Sequence, residues 1–211
     1  KIPITDSFQA IGGDGANIAV GAAKLGLATA TITTVGQDSN GTLIKHELTK
    51  QKINTDYVTM DKSAKTRYSV ILNYKGERTI LSFHQKRKYA WPKTMPAVDW
   101  LYYTGLSAGF ETLQDKMLAF LAKHPTVRLA FTPGSYQLKN AFDKVREVLP
   151  HTDILIVNLE EAEKISNTTL KKEKTVAAII HKLLSLGAKE AVITDGIRGA
   201  WAGDTDNMKY M

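Results

Sequence analysis

Short β-branched segments alternate with helix-patterned ones along most of this chain, and that alternation limits the fold more than any other feature. "ATITTV" at 30–35 precedes helical spacing at Leu43, Ile44 and Leu48, and "DYVTM" follows at 56–60. Farther on, "WLYYT", "VRLAFT", "DILIVN" and "EAVIT" each predict a strand. Helices are predicted around Met117–Leu121, over Leu138–Leu149, through Ile165 and over Val176–Leu186. Such alternation builds a parallel sheet with helices on both faces. One stretch breaks the rhythm. "TRYSVILNY" and "RTILSFH" flank Lys75-Gly76-Glu77 as two strands around a tight turn, a β-hairpin inserted into an α/β chain. Tyr68, Val70, Leu72 and Tyr74 alternate with Ser69, Ile71 and Asn73, so both phases carry apolar groups. A hairpin of that pattern is expected to be covered on at least one face, by a ligand, a second subunit or the core.

A length of 211 residues with 43% hydrophobic content suits one α/β domain with a real core. The net charge of +7 raises the question of a nucleic-acid partner. Its distribution answers against one: Lys86-Arg87-Lys88, and Lys171-Lys172 with Lys174, lack interleaved aromatics for base stacking and read as solvated surface. No apolar run approaches the roughly 18 residues of a membrane span, so no membrane partner is expected. With no cysteines, disulfides and thiolate metal sites are excluded, and a cytoplasmic location is the expectation. Histidines 46, 84, 124, 151 and 181 have no metal-ligand spacing.

The N-terminal stretch "AIGGDGANIAVGAAKLG" places Gly12, Gly13 and Gly15 at the mouth of a helix that Gly26 ends. A dinucleotide fingerprint needs a third glycine where Ile18 stands, and "ITDSFQA" is a poor buried strand before it. Two readings remain: a turn that simply starts a packed helix, or a polar ligand held against helix N-terminal amides with Asn17 supplying a donor and an acceptor.

Several motifs share one source. "GGDGANIAVGAAKLG" resembles the first signature of the ribokinase, or PfkB-type carbohydrate kinase, family through Gly12, Gly13, Asn17, Ala19, Leu25 and Gly26. "TVGQDSNG" is similar to the family's V-G-x-D-x-x-G at Val35, Gly36, Asp38 and Gly41, "NLEE" to its N-x-x-E at Asn158 and Glu161, and "VITDGIRGA" to its nucleotide-binding segment. The resemblance implies a ribokinase-like three-layer α/β sandwich with a mainly parallel sheet and a small β lid, formed by segments of about 1–10 and 66–88 within a single domain over 1–211. It implies an ATP-dependent kinase that moves the γ-phosphate to a hydroxymethyl group of a sugar, with ATP and Mg²⁺ as cofactors. A nucleoside kinase, and a noncatalytic sugar- or nucleotide-binding relative, stay open beside it.

Residue by residue, the resemblance assigns Gly12, Gly13, Asp14 and Asn17 to the sugar pocket, with Asp14 equally readable as a helix cap. It assigns Thr194, Gly196 and Gly199 to the nucleotide; on local pattern alone these form a hairpin turn. Asn158 and Glu161 are assigned to the waters of Mg²⁺, or, on spacing alone, to a capping box. A homodimer contact through the lid is left open. The chain also departs from the family. The D-T-x-G-A-G-D segment that carries the catalytic aspartate has no counterpart, since "GDTDN" at 203–207 lacks its glycine turn. No catalytic residue is therefore assigned: the aspartate is expected beyond Met211, the family's first strand before Lys1, and the 211 residues alone are expected to be inactive. In "FTPGS", Thr132 stands where the family often carries Asp or Asn.

Overall fold

A computed structural model of the chain describes residues 4–210; of the expected lid segment 1–10, residues 1–3 lie outside them. Two compact units are formed, Lys1–Pro92 and Lys93–Met211. No helix among the described residues is long and apolar enough to cross a membrane.

In the first unit, helix α1 (Asp14–Lys24) presents Ala19 to a small core with Leu48 and Ile53, joined by Ile11, Ala16, Val20, Ala23 and Ile44. Gly26 stops the helix at φ 88°, where the Leu27 N–H donates to the Ala22 carbonyl at 3.1 Å. Strand β1 (Thr33–Gly36), helix α2 (Ser39–Lys50) and strand β2 (Val58–Asp61) make one parallel crossover, with Thr33 opposite Val58 and Gly36 opposite Asp61. The expected strand at 30–35 thus starts later, with a single bridge from Ala30 to Asn54 before it.

The V-G-x-D-x-x-G motif explains itself here. Asp38 caps α2 by accepting from the Gly41 N–H at 2.8 Å, and the same carboxylate accepts from the Thr66 hydroxyl at 2.6 Å and the Thr66 amide at 2.8 Å. Backbones pass so closely that a Cβ on Gly41 would lie 2.0 Å from the Gly36 carbonyl oxygen, and one on Gly36 would lie 2.5 Å from the Thr66 nitrogen. Arg87 completes the cluster: only 6% exposed, it donates to the carbonyls of Thr34 at 2.9 Å and Lys65 at 3.0 Å. The expectation that Lys86-Arg87-Lys88 is solvated surface is corrected at Arg87, whose guanidinium serves backbone carbonyls rather than water.

Thr66 and Arg87 bracket the hairpin of β3 (Tyr68–Tyr74) and β4 (Glu77–Phe83), which pairs from Tyr68–Phe83 to Tyr74–Glu77. Its turn is Lys75-Gly76, both at positive φ. Among the described residues neither face is covered, since all of β3 and all of β4 but Phe83 are exposed; of the covers expected, this removes packing on the core. The hairpin is held instead by cross-strand pairs, among them the stacked Tyr68 and Phe83 rings and the Ser69–Ser82 hydroxyl bond at 2.8 Å.

The second unit is a six-stranded sheet in the order β10-β9-β8-β7-β6-β5. Strands β5 (Trp100–Tyr103), β6 (Arg128–Phe131), β7 (Ile154–Asn158) and β8 (Glu190–Thr194) are parallel; β9 (Ala200–Gly203) and β10 (Met208–Tyr210) extend it antiparallel. Leu155, Val157, Ala191 and Ile193 are buried against helices α6 (Leu159–Ser166) and α8 (Val176–Ser185), while Ile154, Ile156 and Val192 on the other face are half-buried. Helix α3 (Glu111–Lys123) links β5 to β6, and the four-residue α7 (Leu170–Glu173) leads into α8. The single helix expected over Leu138–Leu149 is two, α4 (Ser135–Asn140) and α5 (Phe142–Val148), because Ala141 leaves helical geometry at φ −145° and ψ 48°.

The Asp38 cluster carries a pH prediction. Burial would push its carboxyl up, but the bonds from Thr66 and Gly41 and the field of Arg87 outweigh that and hold it below its ordinary value. A depressed folded-state value means stability that is present above the ordinary carboxylate value of about 3.9 and lost as pH falls through the folded one. Asp38→Ala should destabilise the first unit by about 1–3 kcal/mol near neutral pH, through the lost cap and hydrogen bonds. That deficit should shrink in denaturant titrations below pH 4; a deficit independent of pH would contradict the assignment.

Candidate functional site

The expected sugar-pocket residues lie together at the start of α1. Gly13 occupies the position before the helix at φ 89° and ψ 152°, a region essentially closed to side chains. Gly12 differs: a Cβ there would meet nothing within 4 Å. Its glycine is not demanded by packing among the described residues. Asp14 is the first helical residue, and no side chain caps the helix, which removes the capping reading of Asp14. Its carboxylate instead sits in the first turn, where the helix dipole favours negative charge. The Asn17 N–H closes the first helical bond to Gly13 at 3.0 Å, while its carboxamide is exposed and accepts or donates no hydrogen bond among the described residues. The group is open, glycine-lined and polar, and ordered without using its own side-chain donors.

In the second unit, the register of β7 and β8 sets Asn158 directly opposite Thr194 at the C-terminal ends of the two strands. That is the edge where open α/β sheets bind ligands. The Thr194 hydroxyl reaches the Val157 carbonyl at 3.5 Å. Asn158 and Glu161 form a capping box: the Glu161 N–H donates to Asn158 Oδ1 at 2.9 Å, and the Asn158 N–H donates to Glu161 Oε2 at 3.0 Å. The box fixes both side chains at the mouth of α6. One oxygen of each side chain is thereby committed to a backbone N–H.

Gly196 and Gly199, at φ 57° and 89°, shape the turn from β8 into β9, where Thr194 pairs with Ala200. The hairpin-turn reading is therefore correct as geometry, and it leaves Thr194 exposed at the same edge. Within the turn, Arg198 Nε and Nη2 grip the two Asp195 oxygens at 2.7 Å each, and this bidentate pair holds the Asp195 carboxyl below its ordinary value. Asp195 is thus a turn anchor. Thr132, just past β6, bonds its hydroxyl to the Tyr102 hydroxyl at 2.7 Å, so a neutral pair stands at the corner where the family often has a carboxylate or carboxamide.

Residues 7–210 match the pfkB family carbohydrate kinase. The chain belongs to that family. It is 28% identical over 210 residues to a ribokinase of Staphylococcus aureus, across 95% of this chain and 66% of that protein. To a probable fructokinase-5 of Arabidopsis thaliana it is 25% identical over 214 residues, across 92% of this chain and 64% of that one. The chain spans just under two thirds of the length of these relatives. Among solved structures, the fructokinase from Vibrio cholerae in its fructose-, ADP- and calcium-bound form superposes with a TM-score of 0.74 at 17% identity, covering 95% of this chain and 68% of that one. The fold of this pfkB member is accordingly the ribokinase-like α/β fold, with a mostly parallel central sheet.

The two adjacent glycines should respond differently to substitution. Gly13→Ala should destabilise the first unit by about 1–3 kcal/mol, because its backbone region is closed to a Cβ. Gly12→Ala should leave the melting temperature within about a degree while occupying the space before α1. Equal losses from both would show that packing, not ligand access, accounts for Gly12.

Proposed function

We propose that the protein to which these residues belong is an ATP-dependent sugar kinase that transfers the γ-phosphate to a hydroxymethyl group of its substrate. The observation that carries the reading is the pairing of Asn158 with Thr194 at the C-terminal strand edge, in a chain whose glycine-lined α1 mouth presents an uncommitted carboxamide. The relatives named ribokinase and fructokinase, and the fructokinase solved with fructose, ADP and calcium, support the substrate class and the nucleotide. Gly12, Gly13, Asp14 and Asn17 would bind the sugar hydroxyls. Thr194, Gly196 and Gly199 would border the nucleotide, and Asn158 and Glu161 would hold Mg²⁺ through its waters. Phosphoryl transfer asks little covalent chemistry of a protein and much positioning and charge neutralisation, which is what amides, a carboxamide and a hydrated cation supply.

The exposed hairpin is proposed as the lid, closing over the sugar with one apolar face and meeting a second subunit with the other. Lid segments 1–10 and 66–88 belong to a single working domain in this reading, and the cysteine-free composition accords with a cytoplasmic enzyme. The catalytic aspartate and its anion hole are proposed to be supplied by residues other than these 211, which contain no G-A-G-D.

In the protein with that segment, Glu161→Gln should lower turnover and raise the Mg²⁺ requirement without unfolding the chain, since the side chain lies at a helix start. An unchanged Mg²⁺ dependence would reduce Glu161 to a cap. Asn17→Ala should weaken sugar binding by about 1–3 kcal/mol, read by calorimetry, because ligand hydroxyls lose their partner. ADP release over a sugar panel should appear only in the extended chain; robust turnover by the 211 residues alone would refute the proposal that other residues supply the catalytic aspartate.

A further inference from the structure

Beneath the C-terminal edge of the second unit runs a buried chain of side-chain hydrogen bonds that none of the assignments above uses. Gln137 and Gln114 are fully buried and Tyr103 is 5% exposed. The Gly134 N–H donates to Gln137 Oε1 at 2.8 Å, and the Leu106 N–H donates to the same oxygen at 3.4 Å. Gln137 Nε2 donates to the Tyr103 hydroxyl at 2.9 Å, that hydroxyl donates to Gln114 Oε1 at 3.0 Å, and Gln114 Nε2 donates to the Lys144 carbonyl at 2.9 Å. Backbone donors at one end and a backbone acceptor at the other allow only this polarity: each amide orientation and the hydroxyl proton are fixed by the ends of the chain.

Leu106 lies in the loop that follows β5, and Gly134 in the loop that follows β6. A single oxygen therefore ties together two loops at the ligand-binding end of the sheet. The loops also touch directly. A Cβ on Gly134 would lie 2.5 Å from Gly105 Cα, so the approach depends on the absence of a side chain. Gln137 stands on α4, and its relay reaches α3 through Gln114 and α5 through Lys144, so both loops are referred to the helical layer rather than left to find their own place.

We propose that Gln137 is a positioning residue: through its oxygen it locks the loops after β5 and β6 into one rigid wall of the phosphoryl-transfer site, with Tyr103 and Gln114 holding its side chain in orientation. The proposal rests on the kinase reading for its functional consequence, and on the loops alone for its structural one. A misplacement near 1 Å at such a site costs on the order of 100-fold in rate.

Two variants of the complete protein separate this role from mere core satisfaction. Gln137→Glu keeps an acceptor for Gly134 and Leu106, and its buried carboxyl, protonated for want of a cation, can still donate to Tyr103, so the desolvation cost should lower the melting temperature while amide exchange in 104–109 and 132–136 stays slow. Its kcat should fall less than that of the apolar triple variant, as the loop contacts are kept. The triple variant Tyr103→Phe, Gln114→Met, Gln137→Met removes the polar atoms of the relay together and leaves the half-buried Gly134 and Leu106 N–H groups and the Lys144 carbonyl to water, so its melting temperature should lie at or above that of Gln137→Glu. It should nevertheless speed exchange in those two loops by about tenfold or more and lower kcat by about 10- to 100-fold, with KM for sugar and nucleotide little changed. If loop exchange and kcat instead follow melting temperature across the variants, Gln137 is a structural residue and the proposal is overturned. Failure of the kinase reading shows separately, as a parent protein that phosphorylates no sugar; the exchange pattern then still decides whether Gln137 locks the loops.

Discussion

The parallel register of β7 on β8 is the constraint from which the second unit's chemistry follows. Leu155 and Val157 are buried beside Ala191 and Ile193, and helices α6 and α8 seal that face. Because side chains alternate, a slip of one residue would carry both buried pairs to the other face, so burial enforces the pairing. The same pairing then delivers Asn158 opposite Thr194, and the chain turns at once into α6 with Glu161 locked to Asn158. Apolar burial below sets polar geometry above. The candidate site groups at the edge therefore stand on rigid elements.

The first unit solves a different problem. Its core is small, and it must hold out a hairpin that no other described residues cover. Asp38, Thr66 and Arg87 do so by fixing both roots of the hairpin to the β1–α2 turn, with close glycine contacts that admit no side chain. A buried guanidinium without a hydrogen-bonded carboxylate would be costly if it were unpartnered. Here it donates to two carbonyls and feels the nearby negative charge of Asp38, which in turn is held ionised. Hairpin root and turn are one electrostatic unit.

What the sequence made legible depended on the range of the interactions. Strand and helix positions followed from periodicity, the Gly26 stop from local backbone chemistry, and the hairpin from its turn. The glycine mouth, the V-G-x-D-x-x-G turn and the N-x-x-E box were legible as motifs, and each forms a helix start or the turn before one. Arg87 was misread because a charge run looks solvated until a tertiary partner, the Thr34 carbonyl, is in place. Ala141 interrupts a pattern that is helical by spacing, and no proline or glycine marks the break. Strands β9 and β10 were too short and too mixed to announce themselves. Gln114 and Gln137 were invisible for the same reason as Arg87: glutamine at a helical position reads as surface, and only the pairing through Tyr103 shows otherwise. A hint existed in hindsight, since Gln137 stands three residues after Gly134 at a helix start, from where a glutamine oxygen can accept from the backbone N–H before the helix.

The kinase reading requires that the C-terminal strand edge of the second unit bind a metal-complexed nucleotide. Amide chemical shifts of the labelled 211-residue chain, recorded during titration with MgADP and with ADP in the presence of a chelator, test it most directly. Mg²⁺-dependent shifts concentrated at 158–161 and 194–199 are expected. Shifts confined instead to the opposite edge, around Arg128, His151 and Lys189, or no shifts at millimolar MgADP, would contradict it.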